Sequence, residues 1–125
     1  MEKQIISTNN APSAIGPYSQ GVIVKDMVYT SGQLPINPQT GEVPATIEEQ
    51  TKQVLENGKA ILEAAGTDMS KVFKTTVFLK DLKDFAKMNE VYATYFSEKH
   101  PARSTVGGAE LVKDALVEIE LVAII

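Results

Sequence analysis

The C-terminal stretch Val117 to Ile125 restricts the fold more than any other part of the sequence, because it reads V-E-I-E-L-V-A-I-I. In a strand, successive side chains point to opposite faces. Val117, Ile119, Leu121, Ala123 and Ile125 therefore share one face, while Glu118, Glu120, Val122 and Ile124 share the other. The all-apolar face has to be covered by further elements of the same chain. The second face mixes carboxylates with Val122 and Ile124, and its apolar part suits contact with another subunit.

The rest of the chain supplies the covering elements. Lys3 to Ser7 reads as a short extended segment, and Gly21–Lys25 with Met27–Ser31 reads as a hairpin turning at Lys25-Asp26. Leu34 to Pro44 contains Pro35, Pro38, Pro44 and a Thr-Gly turn signal, so it is expected to be a surface loop. Thr46 and Glu49 form a capping box, after which Ile47, Val54, Leu55, Gly58, Ile61, Leu62 and Ala65 fall on one helical face, with Gly66 placed to end the helix. Val72 to Leu79 reads as a strand. Asp84 is expected to cap a second helix with a Phe85, Met88, Tyr92, Tyr95 and Phe96 stripe. Arg103 to Val106 and Val117 to Ile125 follow as strands, separated by Gly107-Gly108. The expected fold is α+β: one domain over residues 1–125, with a sheet carrying two helices on one face. A domain of 125 residues leaves much surface exposed and gains from burying more in an oligomer.

Composition removes several chemistries. Without cysteine there are no disulfides, thiolate nucleophiles or cysteine zinc sites, in keeping with a reducing compartment. His100 is the single histidine and Arg103 the single arginine, so a histidine-dependent triad or a multi-histidine metal site lacks raw material. With a net charge of −4 and scattered lysines, the chain has no footprint for a nucleic-acid backbone. Met1 to Asn10 is polar and no apolar run reaches membrane-spanning length, so a cytoplasmic protein away from membranes is expected.

A few residues can carry chemistry, each with a plainer alternative. The planar fork of Arg103 can grip a carboxylate, or it can serve a structural ion pair. Glu118, within an apolar strand, can be buried enough for proton transfer, or it can stay solvated. Tyr18, in I-G-P-Y-S-Q, can wall a site or simply pack in a turn. Ser31-Gly32-Gln33 can let backbone N–H groups approach a ligand, or just end a strand. His100, ahead of Pro101, reads as a loop residue, and the charges from Glu48 to Glu63 as a solvated helix face.

Six segments together resemble the RidA/YjgF family, also called L-PSP or translation-inhibitor proteins. They are A-P-S-A-I-G-P-Y-S-Q (Ala11–Gln20), T-S-G-Q (Thr30–Gln33), N-P-Q-T-G-E (Asn37–Glu42), T-T-V-F-L-K-D-L (Thr75–Leu82), P-A-R-S (Pro101–Ser104) and V-E-I-E (Val117–Glu120). The resemblance implies a chorismate-mutase-like fold and a homotrimer with a central barrel and sites between subunits. It implies hydrolysis of 2-iminobutanoate and 2-iminopropanoate, products of pyridoxal-phosphate dehydratases, without metal or organic cofactor. Arg103 would then hold the substrate carboxylate and Glu118 would activate water. Tyr18, Ser31, Gly32, Thr105 and Asn89 would shape the pocket. Thr105 stands where many members have cysteine, and Gly107–Val112 departs from the usual pattern, which implies a looser, more acidic loop. Two rival readings are a binding or regulatory module for small carboxylates and an RNA-cleaving protein. The acidic balance speaks against the latter.

Overall fold

In a computed structural model, which describes residues 2–125, the C-terminal strand lies inside the sheet and its alternation sets the layering. The strands are β1 (Lys3–Ile6), β2 (Gly21–Val24), β3 (Met27–Thr30), β4 (Val72–Leu79), β5 (Ala102–Val106) and β6 (Val117–Ile124). They form one sheet in the order β1-β2-β3-β6-β4-β5, in which only the β4–β5 pair is parallel. The helices are α1 (Ile47–Ala64) and α2 (Phe85–Tyr95), and α2 is the crossover that a parallel pair requires. This is the mixed α+β architecture expected from the sequence.

Val117, Ile119, Leu121 and Ala123 are buried against the helices, whereas Ile125 is 54% exposed. Ile125 lies one residue past β6 and donates its N–H to the Asp26 carbonyl, so the strand's alternation no longer governs it. On the other face Tyr29, Phe73 and Ile124 remain exposed, a band of apolar side chains that no element of the chain covers. β4 contains a bulge between Val72 and Lys74. The extra residue lets Val72, Thr75, Val77 and Leu79 all face the helices, which strict alternation would not allow.

α1 begins with the hydroxyl half of its capping box: the Thr46 hydroxyl accepts from Glu49 N–H, and the Glu49 carboxylate accepts from that hydroxyl in place of the Thr46 N–H. It ends in a Schellman motif, with Gly66 at φ +89, its N–H on Glu63 O and the Thr67 N–H on Leu62 O. Buried polar side chains on α1 pin the neighbouring loops. Asn57 donates to the carbonyls of Leu34 and Ile36, and Gln50 bonds both Pro44 O and Leu116 N–H. The second helix departs from expectation at its start. Asp84 makes no capping hydrogen bond; instead Asp81 accepts from Lys83 N–H and opens a 3-10 turn, Leu82–Asp84, that runs into α2. Met88, Tyr92 and Phe96 are buried, while Phe85 stays partly exposed and Tyr95 reaches the Glu56 carboxylate of α1.

Gly21 sits in β2 opposite Ile6 and Thr30, where a methyl group would meet Tyr29 O at 2.9 Å, Ile61 Cγ2 at 3.0 Å and Ile6 Cδ1 at 3.1 Å. One of these walls is backbone and cannot step aside. Gly21→Ala is expected to destabilise the fold by about 1–3 kcal/mol through overpacking, read as a lowered urea midpoint with unchanged slope.

Candidate active site

The guanidinium of Arg103 belongs to no ion pair among the described residues, where Lys80–Asp114 and Lys83–Asp81 are the two found. It donates instead to the neutral Asn89 side-chain oxygen at 2.6 Å. Its carbon lies 4.7 Å from the centre of the Tyr92 ring and 5.4 Å from that of Phe85. Arg103 pairs with Thr75 across the parallel β4–β5 ladder and so points to the helix side of the sheet; Thr105 follows on the same side opposite Val77. A cleft of about 400 Å³ opens here, lined by Asn89, Tyr92, Ala93, Phe96, His100, Pro101 and Arg103. Hydrogen-bonded and stacked but not neutralised by a carboxylate, the arginine keeps its charge and N–H groups for an anionic ligand.

The second group forms on the opposite face of the sheet. Glu118 pairs with Phe78 of β4, and its carboxylate lies against the backbone of Gly32. A Cβ built on Gly32 would stand 2.0 Å from Glu118 Oε2, so any larger residue there would push the carboxylate out of this position. Burial raises the Glu118 pKa above the ordinary carboxylate value, and the neighbouring charge of Glu120 raises it further. The Gln33 N–H bonds Ile119 O at 2.8 Å, which fixes the 31–33 turn onto β6. Ser31 donates to Ser19 O at 2.5 Å, and its N–H bonds Gln20 O. Tyr18 is 55% exposed, and its hydroxyl accepts from Ile15 N–H at 3.4 Å. Tyr18 and Gly32 line a second cleft, of about 370 Å³, with Ile15, Leu34, Ile36 and Val112 among its apolar walls.

The residues singled out from the sequence thus fall into two sets within one chain. Arg103, Asn89 and Thr105 lie on the helix side of β5, whereas Glu118, Gly32, Ser31 and Tyr18 gather around the start of β6. In the sequence Tyr92 and Phe85 read only as part of a core stripe, and Gln20 only as the last residue of a motif. Phe85, Asn89, Tyr92 and Phe96 follow one another at helical spacing, which is the signal that puts Asn89 beside those rings. The Gln20 amide holds the carbonyls of Thr8, Ala11 and Pro12 and the N–H of Thr8, and so shapes the segment that leads to Tyr18. No sequence periodicity announces that role.

The Gly107–Val112 departure is built into the packing. A Cβ at Gly107 would meet Leu82 Cγ at 2.2 Å, so this glycine lets the exposed Leu82 side chain lie close, while Gly108 takes φ +71, a conformation that favours glycine. Ala109 N–H bonds Leu79 O, and the Lys80–Asp114 pair lies just beyond. A larger cleft, about 630 Å³, runs along α1 and the proline-rich loop but contains none of the candidate residues. Among the described residues, no cluster of metal-ligating side chains occurs and no helix is long and apolar enough to cross a membrane.

A family model described as Endoribonuclease L-PSP matches residues 8–125. A RutC family protein of Pyrococcus horikoshii is 57% identical over 122 residues, 97% of either chain. The Escherichia coli protein named 2-iminobutanoate/2-iminopropanoate deaminase is 54% identical over 122 residues, 95% of either chain. The structure of E. coli TdcF with bound serine aligns with a TM-score of 0.94 at 51% identity and covers 98% of both chains. The E. coli YjgF structure aligns with a TM-score of 0.92 at 54% identity, covering 97% of this chain and 98% of its own. Matched nearly end to end in sequence, and in fold by solved relatives, the chain belongs to the RidA/YjgF (L-PSP) family.

Proposed function

We propose that this protein hydrolyses short 2-imino acids, 2-iminobutanoate and 2-iminopropanoate among them, to 2-oxo acids and ammonia, at sites shared between the subunits of a cytoplasmic homotrimer. The observation that carries the proposal is the unneutralised Arg103, fixed by Asn89 and two rings in an open cleft, in a chain whose half-buried carboxylate Glu118 lies on the other face of the sheet. Neither set completes a site alone. The exposed apolar band of Tyr29, Phe73 and Ile124 supports an assembly that would bring one chain's Arg103 toward the Glu118 of the next. The names of the deaminase relative and of the serine-bound TdcF structure support the same class of ligand, a small amino-acid-like carboxylate.

The chemistry follows from these groups. Arg103 holds the substrate carboxylate and so orients the imine carbon. Glu118 takes a proton from water as its oxygen bonds that carbon, and the electron pair of the C=N bond moves to nitrogen. Glu118 returns that proton to the nitrogen, giving a neutral carbinolamine; it then takes the hydroxyl proton and passes it to the amino group, so that the C–N bond breaks, ammonia leaves and the carbonyl forms. One carboxylate can act first as base and then as acid, and a raised pKa brings its two protonation states closer to balance near neutral pH. Tyr18, Ser31, Gly32 and Thr105 shape the pocket, and no metal or organic cofactor takes part.

The decisive assay lets a threonine dehydratase generate 2-iminobutanoate and traps the imine with semicarbazide. The parent protein is expected to lower the trapped fraction. Glu118→Gln is expected to lose about 10²–10⁴-fold in kcat/KM, as removal of a general base does. Arg103→Ala is expected to lose about 10²-fold, mostly as a higher KM. If the parent leaves the trapped fraction unchanged while still binding 2-oxobutanoate, the protein is a carboxylate-binding module and the proposal falls.

The pH profile supplies an independent check. Glu118 works as a base only when ionised, so activity is expected to fall as pH drops through its raised pKa. Glu120→Gln removes a charge that disfavours the ionised form, so the acid limb should move to lower pH. Gly32→Ala, whose methyl group would overlap the Glu118 carboxylate, is expected to abolish turnover while circular dichroism shows the fold retained.

A further inference from the structure

We infer that the buried pair Thr75–Tyr92 is a positioning device for Arg103, setting the plane and depth at which its guanidinium meets a carboxylate. The inference deepens the functional reading above and rests on it for the identity of the ligand, but the geometry is a separate observation. Thr75 is fully buried, and its hydroxyl lies 2.8 Å from the Tyr92 hydroxyl. It is the polar member of the helix-facing set of β4, whose other members are Val72, Val77 and Leu79. A hydroxyl there adds nothing to apolar packing, so its hydrogen bond to Tyr92 is what distinguishes it from valine. That bond clamps the tip of a ring whose face supports Arg103 at 4.7 Å, and Phe96 lies beside the same ring at 4.7 Å.

Thr75 is also the residue directly opposite Arg103 in the β4–β5 ladder. Backbone and side chain thus close a loop. The ladder fixes the arginine's Cα relative to Thr75, the hydroxyl pair fixes the Tyr92 ring relative to Thr75, and the ring fixes the guanidinium. Asn89, one helical turn before Tyr92, bonds the guanidinium from the side at 2.6 Å. An arginine held on a face and an edge has lost most of its rotamer freedom before a ligand arrives, which is how preorganisation strengthens a charge-assisted grip. Burial raises the Tyr92 pKa, so the phenol stays neutral and can share its proton with Thr75.

Because Arg103 is the single arginine, its side-chain Nε–H gives one assignable NMR signal, displaced by the ring currents of the aromatic faces beneath it. Thr75→Val and Tyr92→Phe each remove the hydroxyl bond and keep the packing volume. In both variants that signal is expected to move and broaden, and binding of 2-oxobutanoate, read by calorimetry, to weaken about threefold to tenfold. The double variant should bind no more weakly than either single one, since both remove the same bond. An unmoved Arg103 signal in the folded single variants would overturn the inference, as would additive losses in the double variant. Failure of the parent to bind any 2-oxo acid would instead strike at the functional reading, while the NMR signal would still report on the clamp.

Discussion

Everything else in this fold depends on burying one face of β6. Val117, Ile119, Leu121 and Ala123 sit within the sheet beneath the helices, and each larger side chain among them contributes on the order of 1.5–3 kcal/mol by leaving water. Close seating of α1 on that face requires Gly58, since a Cβ there would lie 2.7 Å from Leu121 Cδ1. Glycine inside a helix costs about 1 kcal/mol against alanine, a loss the better contact offsets. Once that face is committed, the parity of the strand commits Glu118 and Glu120 to the opposite side. The hydrophobic core therefore decides which face Glu118 occupies, and its contact with the Gly32 backbone decides where on that face the carboxylate lies.

The same logic separates the two candidate residues. Arg103 faces the helices because its partner Thr75 does, and Glu118 faces away because Ile119 is core. A charge held close to apolar walls costs free energy unless it is paired. Here the arginine is stabilised by a neutral oxygen and two π faces and the carboxylate by none of these, so each is left with electrostatic demand that a bound ion or an adjoining chain can meet.

The elements legible in the sequence are those governed by short-range rules. The capping box at Thr46, the glycine at position 66 and the alternation of β6 all stand as their residues indicate. The misreadings come where one local rule meets another. Asp84 looks like a cap, but Asp81 lies three residues earlier with a better acceptor geometry, so the turn begins there. Ile125 continues the pattern of β6 but not its ladder. Arg103 and Glu118 are nameable from the sequence, whereas their opposite facing follows from strand pairing between segments distant in the chain. Tyr92 was visible only as an apolar side chain; its bond to Thr75 spans two elements and leaves no periodic trace.

The bulge in β4 bears on how this sequence can change over time. One added residue at Phe73 resets the parity of the strand, so that Val72 and Thr75 both face inward although an odd number of positions separates them. Removing a residue from that short stretch would turn either the core valine or the threonine beneath Arg103 outward. Point changes at Phe73 or Lys74 leave the count intact. The strand therefore tolerates substitution far more readily than insertion or deletion, because its length as well as its chemistry sets which side chains face the core.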